Sequence, residues 1–202
     1  MAYSDFTNVA QATRAFNLSI NEGIISLFHS APSVQPSHIL SEILEENLPL
    51  AIATGSEKSR SELIISPILV EVRKNFQRKI SLFSGEIFDV DPSLGLNGVC
   101  DFLIGGNPIQ SEINQPVIVI VEAKKGDLKA AFGQCIAEMV AAQIFNKSNI
   151  TDVIHGIVTT GTQWRFLSLL DKEVSIDLVE YPLPPVDKIL GILTSIIQSH
   201  NI

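Results

Sequence analysis

Residues 116–122 have the sequence Pro-Val-Ile-Val-Ile-Val-Glu, and this stretch decides the fold. An unbroken run of β-branched residues is typical of a central strand that is covered on both faces. Shorter apolar segments bounded by Gly, Pro and Asp lie on either side of it and predict further strands of the same sheet. These predicted strands span residues 80–84, 86–90, 98–105, 153–159, 163–169 and 174–179.

Segments with apolar residues at three- and four-residue spacing surround the strands and predict helices. They span residues 4–29, 37–49, 56–79 and 127–145, followed by a C-terminal helix to residue 200. Ser37 is expected to cap the second helix, and Pro67 to kink or divide the third. We therefore expect one mixed α/β domain. It would comprise an N-terminal helical extension (1–50), a core (51–180) and a C-terminal helix (181–202).

The composition is that of an apolar, well-packed protein. Of the 202 residues, 46% are hydrophobic and only 18% are charged, which excludes a disordered chain. The formal charge of −8 argues against wholesale coating of nucleic acid but allows a local basic strip. Cys100 and Cys135 are too few for a disulfide framework or a zinc site. The sequence shows no signal peptide and no apolar run of about 18 residues, so we expect a cytoplasmic protein without membrane contact.

Three ionisable residues near the end of the central strand could carry chemistry. Side chains two apart on a strand point to the same face, so Glu122 and Lys124 project together, and Asp101 lies on the preceding strand. Two carboxylates and the carbonyl of Ala123 would make a hard-oxygen site for Mg²⁺ or Mn²⁺. Lys124 could hold an attacking water and offset charge that develops on a phosphate. The alternative is a strand-end salt bridge between Lys124 and one of the carboxylates.

The remaining candidate features have simpler interpretations. Trp164 and Phe166 on a predicted strand are expected to belong to the core. The four histidines are mutually remote in sequence and lack metal-ligand spacing. One dense basic cluster at a predicted helix end is either a solvated terminus that complements the helix dipole or a phosphate-binding strip. Its members are Arg73, Lys74, Arg78 and Lys79.

Asp101 followed by Glu122-Ala123-Lys124 resembles the signature of the PD-(D/E)XK nucleases, with Cys100 where the family has its name-giving proline. Three further stretches resemble, in the same order, the N-terminal nuclease domain of type I restriction-enzyme R subunits. They are Glu57-Lys58-Ser59-Arg60 leading to residues 64–69, Gly133-Gln134, and residues 159–166 (Thr-Thr-Gly-Thr-Gln-Trp-Arg-Phe).

This resemblance implies a restriction-endonuclease-like mixed β-sheet flanked by helices, a divalent metal, and hydrolysis of phosphodiester bonds in DNA. Asp101, Glu122 and the carbonyl of Ala123 would bind the metal, and Lys124 would be the catalytic lysine. Glu57 would be the helical acid that completes the site, with Glu62 and Glu71 as rivals on the same stretch. Gln134 would face the site or the substrate backbone, or else cap a buried backbone group.

A protein that keeps this fold and serves as a binding or assembly module is the alternative function. The apolar excess would then support a homodimer, with the C-terminal helix over residues 186–197 as its interface. Cleavage of RNA, single-stranded DNA or branched DNA is a third possibility. Basic residues that ring the Asp101–Glu122 cleft would favour the nuclease, whereas dispersed basic residues together with a cleft covered by a partner would favour the module.

Overall fold

A computed structural model describes residues 1–23, 27–147 and 153–202, and within them the chain is a mixed α/β protein built on an eight-stranded sheet. The strand order is β1-β7-β6-β5-β4-β3-β2, with β8 paired to β6. The β4–β5 and β1–β7 pairs are parallel, and the other pairs are antiparallel. The strands are β1 Ser19–Gly23, β2 Ser81–Ile87, β3 Val99–Gly105, β4 Val117–Ala123, β5 Ile154–Thr159, β6 Gln163–Leu170, β7 Glu173–Asp177 and β8 Tyr181–Pro182.

Strand β4 lies inside the sheet and is buried along its whole length, as its sequence predicts. Ile120 packs into a core cluster on one face of the sheet, whereas Val119 and Val121 pack into a second cluster on the other face. Both faces of the sheet are therefore covered by helices, and the predicted mixed sheet with flanking helices is confirmed.

The helices form a layer on each side of the sheet. Helices α1 and α5 pack on the face that contains Ile120. Helices α2, α4 and α6 pack on the opposite face. The helices are α1 Val9–Phe16, α2 His38–Thr54, α3 Glu57–Arg60, α4 Ser66–Asn75, α5 Lys129–Phe145 and α6 Asp187–Gln198.

The prediction of a single helix over residues 4–29 is wrong in its second half. Helix α1 ends because Asn17 takes the left-handed conformation, with φ of 53°, and donates its N–H to the carbonyl of Thr13. The chain then forms β1, which pairs with β7 at the edge of the sheet. The first fifty residues thus contribute a strand as well as helices. Residues 24–26 of the predicted helix lie outside the described residues.

The two prolines of the next helices differ in their effects: Pro49 does not end its helix, whereas Pro67 lies where its helix is divided. Helix α2 is capped by Ser37 as expected, but it continues past Pro49 and ends before Gly55, because Ala51 is fully buried in the core. The predicted helix over residues 56–79 is divided near Pro67 as expected. Its division takes the form of a π-helical turn, Ser61–Ile65, between α3 and α4.

The predicted burial of Trp164 and Phe166 in the core is confirmed, and Cys100 and Cys135 are buried free thiols. The prediction of two strands on either side of Gly85 is wrong, because the chain continues through Gly85, with φ of 69°, as the single strand β2. Among the described helices, none combines the length and the apolar character needed to cross a membrane.

Candidate active site at the end of strands β3 and β4

The antiparallel register of β3 and β4 brings the predicted acidic residues together. Phe102 pairs with Val121, so the next position along the ladder sets Asp101 opposite Glu122. The half-buried Asp101 carboxylate accepts a hydrogen bond from the backbone N–H of Ala123, with Oδ2 to nitrogen at 2.8 Å. One bond from the end of β4 therefore fixes the Asp101 side chain beside the strand that carries Glu122.

Glu122 lies almost completely out of water and is only half satisfied. Its side chain is 1% exposed, and its Oε1 atom is 2.6 Å from Nζ of Lys124. Its Oε2 atom is buried and has no hydrogen-bond partner. A buried carboxylate oxygen without a partner costs free energy, so it is a group that a cation would stabilise. The predicted strand-end salt bridge is present, but it engages Oε1 and leaves Oε2 without a partner.

Burial and charge repulsion both disturb the ionisation of this group. Burial, together with the nearby Asp101 carboxylate, raises the pKa of Glu122 to about 8, although Lys124 opposes the shift. Burial also raises the pKa of Asp101, against the hydrogen bond from Ala123. Desolvation lowers the pKa of Lys124, but the carboxylates of Glu122, Glu57 and Asp101 together outweigh it, so this pKa is raised as well. Such perturbed groups cluster at functional sites.

Glu57 approaches the same place from helix α3. Its Oε2 atom accepts a hydrogen bond from the backbone N–H of Lys125 at 3.1 Å. A cleft with a volume of about 240 Å³ lies here, and Glu57, Glu62 and Asp101 are among the residues that line it. Glu62 is engaged by the Lys58 ammonium at 2.7 Å. Of these two acids, Glu57 is the one that contacts the loop after β4.

Glu71, the third acid considered for this role, belongs to a different region. It is buried against the start of α2, where its Oε1 atom accepts the backbone N–H of Ser37 at 2.9 Å and its Oε2 atom is 3.4 Å from Nζ of Lys74. Burial alone would raise its pKa, but the hydrogen bonds from Ser37 and the charge of Lys74 lower it overall. Glu71 is a structural acid that ties α4 to the N-terminus of α2.

Gln134 on α5 is occupied by a neighbouring glutamate. Its Nε2 atom donates to Oε1 of Glu138 at 3.1 Å. Glu138 is completely buried, its Oε2 atom has no partner, and its pKa is raised well above the usual range by burial and by Glu122. The site thus contains a second unsatisfied buried acid beside Glu122.

Gln134 and Glu138 lie on the less apolar face of the α5 sequence, and Glu138 was not among the predicted site residues. That face is buried as well, because Glu138 lies close to Glu122 of the sheet and to Tyr3 of the N-terminal segment. A glutamate within the Ala-Met-Val-rich part of a buried helix was the available signal.

The turn between β5 and β6 holds α3 in position. Nη1 of Arg60 donates to the carbonyl of Thr160 at 3.0 Å and to the hydroxyl of Thr162 at 3.2 Å. The turn itself is closed by Oγ1 of Thr159, which accepts the N–H of Gly161. The hairpin and the Glu57–Arg60 helix, which were singled out separately in the sequence, therefore contact each other beside the acidic residues.

The dense basic cluster does not surround the cleft. It lies at the end of α4, where Nε of Arg73 donates to the carbonyl of Ile80 just before β2. Ser81 at the start of β2 pairs with Gly105, four residues along β3 from Asp101. Four residues of strand span roughly 13 Å. Lys124, Lys125 and Lys129 are the basic residues that follow β4.

In the described structure, the predicted metal ligands do not by themselves complete a metal site. Among the residues described, no three His, Cys, Asp or Glu side chains are grouped so that they could hold a metal ion together. The donors that are present fit Mg²⁺ or Mn²⁺ in kind, since they are carboxylate oxygens, and Oε2 of Glu122 is buried without a partner.

No protein-family model matches the chain, and no curated protein matches it.

Proposed function

We propose that this protein is a divalent-metal-dependent nuclease that hydrolyses phosphodiester bonds, with DNA as its substrate. The observation that carries the proposal is the buried Glu122 carboxylate. It has one oxygen on Lys124, one oxygen without a partner, and Asp101 beside it. A purely structural ion pair would be expected to satisfy both oxygens, as Glu71 does elsewhere in the chain.

Asp101, Glu122 and the carbonyl of Ala123 would hold the cation. When bound, Mg²⁺ or Mn²⁺ would neutralise charge on the scissile phosphate and favour attack by water. The hydrogen bond from the Ala123 N–H to Asp101 keeps one ligand in place before the cation arrives. The ion pair with Lys124 has the same effect on Glu122.

Lys124 has two properties that suit a catalytic lysine. It is 29% exposed, so its ammonium reaches solvent while it contacts the buried Glu122. Its raised pKa keeps it positively charged at neutral pH, where it can orient a water molecule and stabilise negative charge on a phosphate oxygen. Glu57, which is bonded to the backbone after Lys124, would order this loop and supply a further acid at the cleft.

The test is cleavage of plasmid and single-stranded DNA in Mg²⁺ or Mn²⁺ by the wild-type chain and by Lys124→Ala and Asp101→Asn. Lys79→Ala is the matched control, because it removes the same charge from an exposed position at the far end of β2. We expect cleavage by the wild type and the control and loss of cleavage in the two site variants, all four chains being folded.

A catalytically inactive binding or assembly module is the second candidate, and the 2.6 Å ion pair between Lys124 and Glu122 is the observation that favours it. A protein that neither cleaves nucleic acid nor is stabilised by divalent cations would belong to this class. The predicted dimer interface on the C-terminal helix gains no support, because α6 buries its apolar side chains in the chain's own core. Metal binding without cleavage of DNA would instead direct the search to RNA or branched substrates.

A further inference from the structure

A second pocket lies on the α5 face of the sheet, two strands away from the acidic site. It has a volume of about 590 Å³ and lies between the first turns of α1 and α5 and strands β6 and β7. Two cations, Arg165 and Lys129, and two carboxylates, Glu22 and Glu180, line it. This pocket is not part of the cleft that Glu57 and Asp101 line.

The sheet register places this pocket in line with the acidic site. Glu122 pairs with Val158, and Val158 pairs with Arg165, so the three residues form one row across β4, β5 and β6. Strands lie about 4.8 Å apart, which separates the backbones of Glu122 and Arg165 by roughly 10 Å. Val158 is fully buried against α5, so a nucleic acid strand bound at the acidic site would reach Arg165 past the exposed first turn of α5, which carries Lys129.

Arg165 is held in a fixed orientation by the protein. Its side chain is only 6% exposed, its Nε atom donates to the carbonyl of Asp177 at 2.9 Å, and its guanidinium lies 5.1 Å from the ring centroid of Phe132. These contacts fix the guanidinium plane before any ligand binds, which lowers the entropic cost of recognising a planar anion.

The ionic partner of Arg165 is much less firmly held. Oε1 of Glu180 is 3.5 Å from Nη1 of Arg165, and the Glu180 side chain is 58% exposed. Because Glu180 is largely in solvent, the interaction is screened and holds that side chain only weakly. Glu180 can therefore move into solvent and leave the guanidinium to another anion, while the contacts with Asp177 and Phe132 persist.

We propose that this pocket binds a backbone phosphate of the nucleic acid substrate, which displaces Glu180 from Arg165. This inference rests on the proposed nuclease function and adds a substrate-binding subsite to it. Arg165 supplies a preoriented guanidinium and Lys129 a second, exposed positive charge. The first turn of α1, which contains no acidic residue, forms another wall of the pocket.

The experiment measures binding of a fluorescently labelled single-stranded oligonucleotide in EDTA, so that neither metal nor cleavage contributes. Glu180→Gln should bind several-fold more tightly than the wild type, because the competing carboxylate is gone. Lys129→Gln should bind several-fold more weakly and with a salt dependence reduced by about one charge. Glu45→Gln, which removes an exposed acid from α2 on the opposite face, is the control and should bind as the wild type does.

Arg165→Lys provides an independent test, since it keeps the charge and loses the planar guanidinium. Provided that its thermal melt shows a folded chain, it should weaken oligonucleotide binding several-fold. Inorganic phosphate should compete only at much higher concentration than the oligonucleotide.

Equal affinities in the wild type, Glu180→Gln and Lys129→Gln would overturn the subsite, as would the absence of oligonucleotide binding. Stabilisation by inorganic phosphate without any effect of these variants on the oligonucleotide would also overturn it, in favour of a free-phosphate site. The nuclease proposal is judged separately, by metal-dependent cleavage and its loss in Lys124→Ala.

Discussion

Two buried glutamates of this protein have opposite surroundings. Glu71, between α2 and α4, has a partner for each of its oxygens and a lowered pKa. Glu122, at the end of β4, is even less exposed, yet one oxygen has no partner and its pKa is raised to about 8. A buried acid that serves only the fold is expected to be fully hydrogen-bonded. The unpartnered oxygen of Glu122 therefore lowers the stability of the fold, and a ligand bound to that oxygen would restore it.

The largest expected effect is on cleavage. Lys124→Ala and Asp101→Asn should each lower the rate of DNA hydrolysis by roughly 10²–10³-fold, because each removes a group that acts on the developing charge or on the cation. Neither should unfold the chain. Initial rates on plasmid DNA, with circular dichroism of each variant, measure both effects. A cleavage rate equal to that of the wild type in either variant would remove that residue from the proposed site.

Truncation of the satisfied glutamate should cost stability instead. Glu71→Ala removes the acceptor for the Ser37 N–H at the start of α2 and should lower the free energy of unfolding by about 2–3 kcal/mol. Glu45→Ala, on the exposed face of α2, is the control and should change it by less than about 0.5 kcal/mol. Urea unfolding gives both values. If Glu71→Ala left stability unchanged, the contrast between the two glutamates would lose its basis.

Replacement of Glu138, the unsatisfied acid on α5, should raise the free energy of unfolding instead of lowering it. Glu138→Gln keeps an acceptor for Gln134 and removes a carboxyl whose folded-state pKa lies well above its unfolded value. Such a carboxyl makes the folded protein less stable as the pH rises, because the unfolded chain releases a proton that the folded chain retains. The variant should thus be more stable than the wild type at pH 8 and by a smaller margin at pH 5. A destabilised variant at pH 8 would show that Glu138 is satisfied in solution.

His155 is a buried basic residue in which burial also changes the pKa. It is 7% exposed and pairs with His200 through its Nδ1 atom at 3.5 Å, and burial, with a smaller effect of His200, lowers its pKa to about 3. Below pH 6.5 the unfolded chain binds a proton that the folded chain does not, so stability falls with acidification.

Between pH 7 and pH 5 this histidine should account for about 1–2 kcal/mol of the loss in stability. His155→Gln should flatten that part of the stability profile, as measured by urea unfolding at each pH. An unchanged slope would mean that His155 titrates normally in the folded state.

The parts of the structure that sequence predicts well are those dictated by local pattern. The apolar run of β4 identifies a strand covered on both faces, and the two-residue spacing of Glu122 and Lys124 predicts their contact. Strand β1 was missed because its pairing with β7 is a long-range interaction, whereas the apolar spacing before it favours a helix. Asn17, at which α1 ends, is a local signal for the end of a helix that the apolar spacing does not include.

Within the site, too, some features follow from local sequence pattern and others depend on long-range packing. The neighbourhood of Asp101, Glu122 and Lys124 follows from strand order and side-chain alternation. The choice of Glu57 over Glu71 could not be made from sequence, because it depends on which side of the π-helical turn faces the loop after β4. The burial of Glu138 depends on how α5 packs on the sheet near Glu122 and on the N-terminal segment near Tyr3, which helical periodicity alone does not reveal.

Calorimetric titration of the folded chain with Mn²⁺ or Mg²⁺ tests the central claim most directly. We expect saturable binding by the wild type and by Glu71→Gln, and its loss in Glu122→Gln, since Glu122 presents a buried, unpartnered carboxylate oxygen beside Asp101, whereas both oxygens of Glu71 have partners. Absence of binding by the wild type, or equal binding by Glu122→Gln, would contradict it.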